Sequence, residues 1–188
     1  MTTARRYRNT YADYLRLQSE SPLKLEFSEG EIFAMAGGTP EHGALAMQFV
    51  RLITGSLPEG CVLYSSDVKV RVLATDLTTY PDLSIVCGGA EPAPDDPNAI
   101  VNPRFLVEVT SPSTEDYDRG DKLSQYKQLP SLQAVAIVSH RRRQVTVVTR
   151  SGASWSEREV RAGERASLGD GISFDVTELY TVAQSLQE

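Results

Sequence analysis

The chain is poor in cysteine and lacks a long hydrophobic run, and each deficit limits what the protein can be. Its two cysteines, Cys61 and Cys87, show no Cys-x-x-Cys spacing, so we expect neither a disulfide framework nor a thiolate zinc site. No apolar run approaches the roughly 20 residues needed to cross a bilayer, and no apolar stretch of a signal peptide follows the basic N-terminus. These features predict a soluble protein of the reducing cytoplasm without a membrane partner.

Positive charge and aromatic residues are also scarce. The 19 Lys and Arg residues face 25 Asp and Glu residues, for a formal charge of −6, which argues against a protein that coats DNA through many phosphate contacts. A nuclease is still compatible with this balance, because catalytic carboxylates add negative charge and local basic clusters can bind phosphate. One Trp and 7% aromatic content disfavour a two-carboxylate glycosidase, which needs a cleft with aromatic sugar platforms.

Length and composition favour a single domain over residues 1–188. The chain is 40% hydrophobic, which suffices for one substantial core at this length but is short for two. No internal repeat or linker interrupts it. No Gly-rich phosphate loop follows a strand pattern, so nucleotide-binding functions lose their main support.

Helical patterns occur at four places. Thr10 and Asp13 form a capping box for a first helix in YADYLRLQ, and Thr39 and Pro40 begin a second one that ends before Pro58. The segments DRGDKLSQYKQL and TELYTVAQSL carry the third and the final helix.

Strand patterns fill most of the remaining chain. A hairpin is predicted in PLKLEFSEGEIFAMAGG, and a second one with an exposed basic turn in AVAIVSHRRRQVTVVTR. Three β-branched runs, CVLYSSDVKVRVL, YPDLSIVCGG and RFLVEVTS, are expected to form the central sheet, with a loop from Ala90 to Pro103 between the last two. The order of elements predicts a mixed α/β sandwich in place of a doubly wound sheet.

Three charged residues lie where charge is costly. Asp82 opens the apolar run LSIV, and Glu108 interrupts FLVEV in a strand that should be buried, so each carboxylate needs a cation or a metal partner. Lys122 shares a helix face with Tyr126 and could reach the strand that carries Glu108. Two carboxylates and a lysine suit phosphodiester cleavage, in which Mg²⁺ binds the carboxylates and the lysine orients water or stabilises charge.

The blocks YPDLSIV, RFLVEVTSPST and DRGDKLSQYKQLPSLQAVAIV resemble the Uma2 family of bacterial endonucleases, within the PD-(D/E)XK nuclease superfamily. The likeness runs from about Tyr11 to the C-terminal helix. It implies a restriction-endonuclease-like fold, a central mixed sheet flanked by helices with additional hairpins, and a metal-dependent DNA endonuclease using Mg²⁺ or, as a substitute, Mn²⁺. By this resemblance Asp82 and Glu108 are the metal ligands.

The chain departs from the superfamily pattern at one position. Thr110 stands where the pattern has its lysine, two residues after the acid, and Lys122 is the natural substitute for a migrated lysine. The acidic residue that an upstream helix often supplies resembles Glu41, with His42 beside it. We therefore expect Asp82, Glu108, Lys122 and Glu41 to be catalytic, although Glu41 and His42 both remain candidates.

Simpler interpretations stand beside these. Asp82 could be a turn residue after proline, Glu108 could face solvent, and Lys122 could form an exposed ion pair with Asp118. The basic residues 140–143 could be a solvated turn that protects a sheet edge. If Thr110 reflects lost activity, the chain is an inactive member of the fold that binds nucleic acid or a protein. An active enzyme would act on duplex DNA as a homodimer, because two symmetry-related sites match the symmetry of its substrate.

Overall fold

The chain forms two six-stranded β-sheets with helices packed between and around their ends, as seen in a computed structural model that describes residues 8–35, 37–112 and 115–184. The helices are α1 (Tyr11–Glu20), α2 (Pro40–Ile53), α3 (Glu115–Tyr117), α4 (Leu123–Tyr126), α5 (Val176–Leu179) and α6 (Thr181–Gln184), with short 3₁₀ turns at Thr54–Ser56 and Leu73–Thr75 and a π turn at Asp118–Lys122 that joins α3 to α4.

The strands follow the same chain order. They are β1 (Leu25–Ser28), β2 (Glu31–Ala34), β3 (Cys61–Ser65), β4 (Lys69–Val72), β5 (Leu77–Thr79), β6 (Leu83–Cys87), β7 (Pro92–Ala93), β8 (Asp96–Ile100), β9 (Phe105–Val109), β10 (Ala134–Val138), β11 (Gln144–Ser151), β12 (Ser154–Arg161), β13 (Arg165–Gly169) and β14 (Ile172–Asp175). Strands β13 and β14 form a separate hairpin.

Both large sheets are mixed, which confirms the predicted fold class. The sheet that carries Glu108, called the site sheet, has the order β12-β11-β10-β9-β6-β3, with β9 and β10 parallel and the other pairs antiparallel. The second sheet, called the outer sheet, has the order β2-β1-β5-β4-β8-β7. In the part of the chain that the structure describes, no helix has the length and apolar character to span a membrane.

Local signals at the chain start and at α2 act as the sequence predicts. The Thr10 side chain accepts a hydrogen bond from the Asp13 amide while the Asp13 carboxylate accepts one from the Thr10 amide, and this complete capping box begins α1. At α2 the Thr39 side chain accepts a hydrogen bond from the His42 amide, and Pro40 occupies the first turn.

Three expectations about the strands and the last helix were wrong. The run CVLYSSDVKVRVL does not lie in one sheet: it turns after Ser65, so β3 joins the site sheet and β4 the outer sheet. The segment from Ala90 to Pro103 is more than a loop, because β7 and β8 extend the outer sheet there. The final helix is interrupted at Tyr180, whose backbone leaves the helical conformation between α5 and α6.

The two cysteines also differ from expectation. Cys61 on β3 lies directly across from Cys87 on the antiparallel β6, and the two form a disulfide with a Cα–Cα distance of 4.0 Å. Spacing along the chain could not reveal this pairing, because it arises from the strand register of residues 26 positions apart.

The hydrophobic core has one part on each face of the site sheet. Leu45, Phe49 and Ile53 of α2 pack on one face. Tyr126 of α4 and Leu129, three residues further along the chain, cover the other face together with outer-sheet residues such as Val70. Because successive side chains of a strand alternate between faces, Leu106 and Glu108 point to the face that α4 covers.

The packing of α2 gives a direct test of this architecture. Phe49 is fully buried, and its ring lies 4.6 Å from that of Phe174. We expect Phe49→Ala to lower the free energy of unfolding by about 3–5 kcal/mol, as for other large-to-small core changes. Met47 lies on the same helix with 66% of its surface exposed, so Met47→Ala should change stability by no more than about 0.5 kcal/mol. Equal losses in urea titrations of both variants would contradict the assigned helix face.

Candidate active site

Asp82 and Glu108 face each other across two neighbouring strands. Strands β6 and β9 are antiparallel with Leu83 opposite Val107, and continuing this register by one residue brings Asp82 opposite Glu108. Side chains opposite each other in such a pair share one face, with Cβ atoms about 4.5–5.5 Å apart. The Val109 amide also donates a hydrogen bond of 2.6 Å to Asp82 Oδ2. Asp82, the residue directly before β6, and Glu108 on β9 are therefore neighbours at the edge of the sheet, so Asp82 is more than a turn residue.

Glu108 is buried with two donors on one oxygen. Its exposed fraction is 4%, so the alternative that it faces solvent is wrong. Lys122 Nζ lies 2.9 Å from Glu108 Oε1, and the Tyr126 hydroxyl donates to the same oxygen at 2.5 Å. These contacts partly offset the several kcal/mol that an unpaired buried carboxylate costs.

Lys122 reaches Glu108 from the π turn between α3 and α4. Its amine was expected within hydrogen-bond or one-water distance of Glu108, and the direct 2.9 Å contact confirms this geometry. The ion pair with Asp118 also exists, at 3.6 Å, but it is buried and not exposed as that alternative assumed. Lys122 thus binds both carboxylates. Single π turns of this kind occur often at functional sites.

A fourth carboxylate approaches from the outer sheet. Glu26 on β1 accepts hydrogen bonds from the Thr79 hydroxyl and from the Tyr80 amide, the latter at 3.1 Å. Although burial lowers the pKa of Lys122, the charges of Glu108, Glu26 and Asp118 outweigh it and raise that pKa above its ordinary value. Glu108, Asp118 and Glu26 therefore surround Lys122, and the charge of the remaining carboxylate, Asp82, acts on Glu108.

Burial and neighbouring negative charges also raise the pKa of Glu108. Burial raises the pKa of its carboxyl to about 8, and Asp82 and Asp118 push in the same direction while Lys122 and the Tyr126 hydrogen bond oppose them. Without a further cation, this carboxyl therefore holds its proton more readily than an exposed glutamate does.

His42 contacts Asp82 at the sheet edge. His42 Nε2 lies 3.2 Å from Asp82 Oδ2, and the hydrogen bond to Asp82 raises the pKa of the imidazole. Gly38 leaves room for the ring, since a Cβ there would lie 2.8 Å from His42 Nδ1. Glu41 lies half-buried in the first turn of α2, where its charge contributes to the raised pKa of Tyr180. Its catalytic role stays a prediction.

Thr110 occupies the position of the superfamily lysine, and it is fully buried. Its Oγ1 lies 2.8 Å from His140 Nδ1 and accepts a hydrogen bond of 3.2 Å from the His140 amide. The position is therefore filled by a threonine–histidine pair that joins the end of β9 to the turn after β10.

The oxygens that remain at the site suit a divalent cation. The hydrogen bonds to Asp82 and Glu108 described above fall on one oxygen of each carboxylate, Asp82 Oδ2 and Glu108 Oε1. Within residues 8–35, 37–112 and 115–184, no three His, Cys, Asp or Glu side chains are already gathered as a metal site. Two carboxylates nevertheless fit Mg²⁺, which commonly takes one or two of them and completes its shell with water and phosphate oxygens.

Comparisons with known proteins place this geometry in a family. The Uma2 family, described as "Putative restriction endonuclease", matches residues 11–183. The chain belongs to this family. It is 32% identical over 174 residues to the uncharacterized protein slr1290 of Synechocystis sp., covering 89% of each chain. It is 26% identical over 130 residues to sll1609 of the same organism, covering 69% of this chain and 73% of that one.

A solved structure shows the same fold. The crystal structure of a putative nuclease belonging to DUF820, from Anabaena variabilis, aligns with a TM-score of 0.73 at 15% identity and covers 92% of this chain and 98% of the other. The expected restriction-endonuclease-like α/β fold is thereby confirmed. The family match by itself places the chain among nucleases of a kind that generally uses a divalent metal.

Sequence reasoning missed two members of the site. Tyr126 was assigned only to the core, although its position four residues after Lys122 places both side chains on one helix face. Glu26 gave a weak signal, as a charged residue inside the strand LEFS. Its proximity depends on how the outer sheet meets the site sheet, which no local pattern encodes.

The raised pKa of Glu108 predicts how stability depends on pH in the metal-free protein. Its ordinary pKa is 4.5 and its folded pKa about 8, so the folded state binds the extra proton between these values. The contribution of the Glu108 carboxyl to the free energy of unfolding is fully present below about pH 4.5 and is lost as the pH rises through 8. Urea unfolding with a chelator from pH 5 to 8 should show this decline, and Glu108→Gln should flatten it. An equal slope in the variant would contradict the assignment.

Proposed function

We propose that this Uma2 protein is a metal-dependent endonuclease that hydrolyses DNA phosphodiester bonds, with Mg²⁺ or Mn²⁺ held by Asp82 and Glu108. One observation carries the proposal: the single amine of Lys122 binds Glu108 and Asp118 with Glu26 nearby, and Asp82 adds a fourth carboxylate beside Glu108. Such an excess of buried negative charge is costly unless a further cation binds. The family supplies the reaction class, and DNA is the substrate proposed from it.

In the proposed hydrolysis, each residue of the site would have a distinct role. A divalent cation would supply Lewis-acid polarisation of the scissile phosphate and a more acidic water. Lys122 and Tyr126 hold Glu108 Oε1 and so fix the direction of Oε2. The Val109 amide does the same for Asp82 through Oδ2. The Lys122 ammonium would also stabilise charge that develops on the phosphate or orient the attacking water.

The helix residues beside the site have narrower roles in this proposal. His42, bound to Asp82, would orient that carboxylate and compensate part of its charge. Glu41 remains a candidate acid of the upstream helix. The homodimer expected from duplex symmetry also remains a prediction, as does the assignment of residues 1–188 to one domain.

A second function is favoured by Thr110. Because a threonine bound to His140 fills the superfamily lysine position, the chain could be an inactive member of the fold that binds nucleic acid or a protein. Such a protein has no requirement for a divalent metal at Asp82 and Glu108, so metal affinity separates the two functions.

Metal binding is the first test. Isothermal titration with Mg²⁺ and with Mn²⁺ should show one site that both Asp82→Asn and Glu108→Gln abolish, since each removes one charged ligand. Asp76 provides a control, because it is a half-exposed carboxylate paired with Arg71 on the outer sheet. Asp76→Asn should leave the metal affinity unchanged. Cleavage of plasmid DNA that proceeds equally in a chelator would contradict the proposal.

The lysine is the second test. Lys122→Met keeps much of the stem and removes the charge, so we expect nuclease turnover to fall about 100-fold. Stability should fall too, because Glu108 and Asp118 lose their cation, so the variant must first be shown folded by circular dichroism. Lys127→Met, on the same helical segment, should retain activity.

A more specific test moves the positive charge from position 122 to position 110. Adding Thr110→Lys to Lys122→Met returns an amine to the strand position of the superfamily lysine, and part of the lost turnover should return. Full activity in Lys122→Met alone, together with no gain from Thr110→Lys, would show that this charge has no catalytic role.

A further inference from the structure

We propose that residues 139–143, here called the basic turn, bind the phosphate backbone of DNA beside the carboxylate site. The basic turn connects β10 to β11 and contains His140, Arg141, Arg142 and Arg143. The inference deepens the proposed function, because it assigns the surface that holds the substrate strand, and it rests on that function for the identity of its ligand.

Position is the first argument. Strands β9 and β10 are parallel, with Glu108 beside Ile137 and Val109 beside Val138, so both strands end at the edge of the sheet where Asp82 and Glu108 meet. His140 then bonds to Thr110 at 2.8 Å. The basic turn is therefore attached to the residue that lies two positions after Glu108.

Sheet topology removes the simpler explanation of the arginines. Charged turns often protect exposed sheet edges from pairing with other chains. Here β10 and β11 are interior strands, because β12 and β9 flank them in the order β12-β11-β10-β9-β6-β3. Edge protection is thus not needed at this turn.

The backbone of the basic turn is fixed by hydrogen bonds. Ser139 Oγ accepts from the amides of Arg141 and Arg142 at 3.2 and 3.3 Å. The Tyr180 hydroxyl lies 2.8 Å from the Ser139 carbonyl and 2.6 Å from the Gln144 carbonyl, which closes the base of the turn. A surface that is already ordered loses less conformational entropy on binding.

Four arginines, Arg119, Arg141, Arg142 and Arg143, lie in or beside the basic turn, although the whole chain carries −6. Glu115 binds Arg141 at 3.1 Å and Arg119 at 3.3 Å, so one carboxylate serves two guanidinium groups. Arg142 and Arg143 are exposed to solvent. Arginine binds phosphate oxygens with two parallel hydrogen bonds, which makes a nucleic-acid backbone the matching ligand.

The test measures DNA binding without cleavage. A fluorescently labelled 30-base-pair duplex is titrated in a chelator at several NaCl concentrations between 50 and 200 mM, and anisotropy gives the affinity. The double variant Arg142→Ala with Arg143→Ala should bind about 10-fold more weakly, and its slope of log affinity against log salt should shrink by about 1 to 2, at roughly 0.9 per lost phosphate contact. The double lysine variant at the same positions should keep most of the affinity.

Arg16→Ala is the matched control, because Arg16 is an exposed arginine on α1, the helix that contacts the outer sheet through Tyr14. It should bind as the wild type does. Unchanged affinity and slope in the Arg142 and Arg143 variant would overturn the proposal, as would an equal loss in Arg16→Ala or a wild type that does not bind the duplex. A wild type that binds through the basic turn but never cleaves with metal would refute the nuclease function alone.

Discussion

The burial of Glu108 is the constraint around which the site is built. A carboxylate that is 4% exposed in the middle of a sheet must have donors and cations, or the strand that carries it would not be stable there. Lys122 and Tyr126 meet that need from the helical segment that covers this face. The π turn and α4 that follows it therefore both cover the hydrophobic core and hold the acid.

The burial of Glu108 also explains how the site can form although several carboxylates repel one another there. Lys122 balances only one of the carboxylates near it, and Asp82 and Asp118 both raise the pKa of Glu108. Such clusters of perturbed groups occur where a protein binds a charged ligand, because the missing countercharge arrives with that ligand. Hydrophobic packing on both faces of β9 offsets the cost of burying these charges, because Leu106 and Val107 pack into the two parts of the core.

Local patterns predicted the parts of the fold that local physics decides. The Thr10 capping box, the α2 start at Thr39 and Pro40 and the β1–β2 hairpin depend on residues a few positions apart, and each formed as expected. Asp82 and Glu108 were recognisable because charge inside apolar runs is rare. What failed depended on distant pairing: the transfer of β4 to the outer sheet, the Cys61–Cys87 disulfide and the approach of Glu26 are all set by sheet register or by the way the two sheets meet.

Charged residues are unevenly distributed around the site, so the two sides from which a nucleic acid could reach it differ in charge. On the side of the outer sheet, the lining of a groove of about 930 Å³ contains four acidic residues, Glu26, Glu29, Glu31 and Asp121, and one basic residue, Arg8. A polyanion would meet like charges along that groove, which its own phosphates disfavour. On the side where β9 and β10 end, Arg119 and Arg141 share one carboxylate and the basic turn adds two exposed arginines. A protein of net negative charge can thus still bind a nucleic acid on one face, because the electrostatic potential close to the site determines where the phosphates bind. The net negative charge of the protein then disfavours binding elsewhere on its surface.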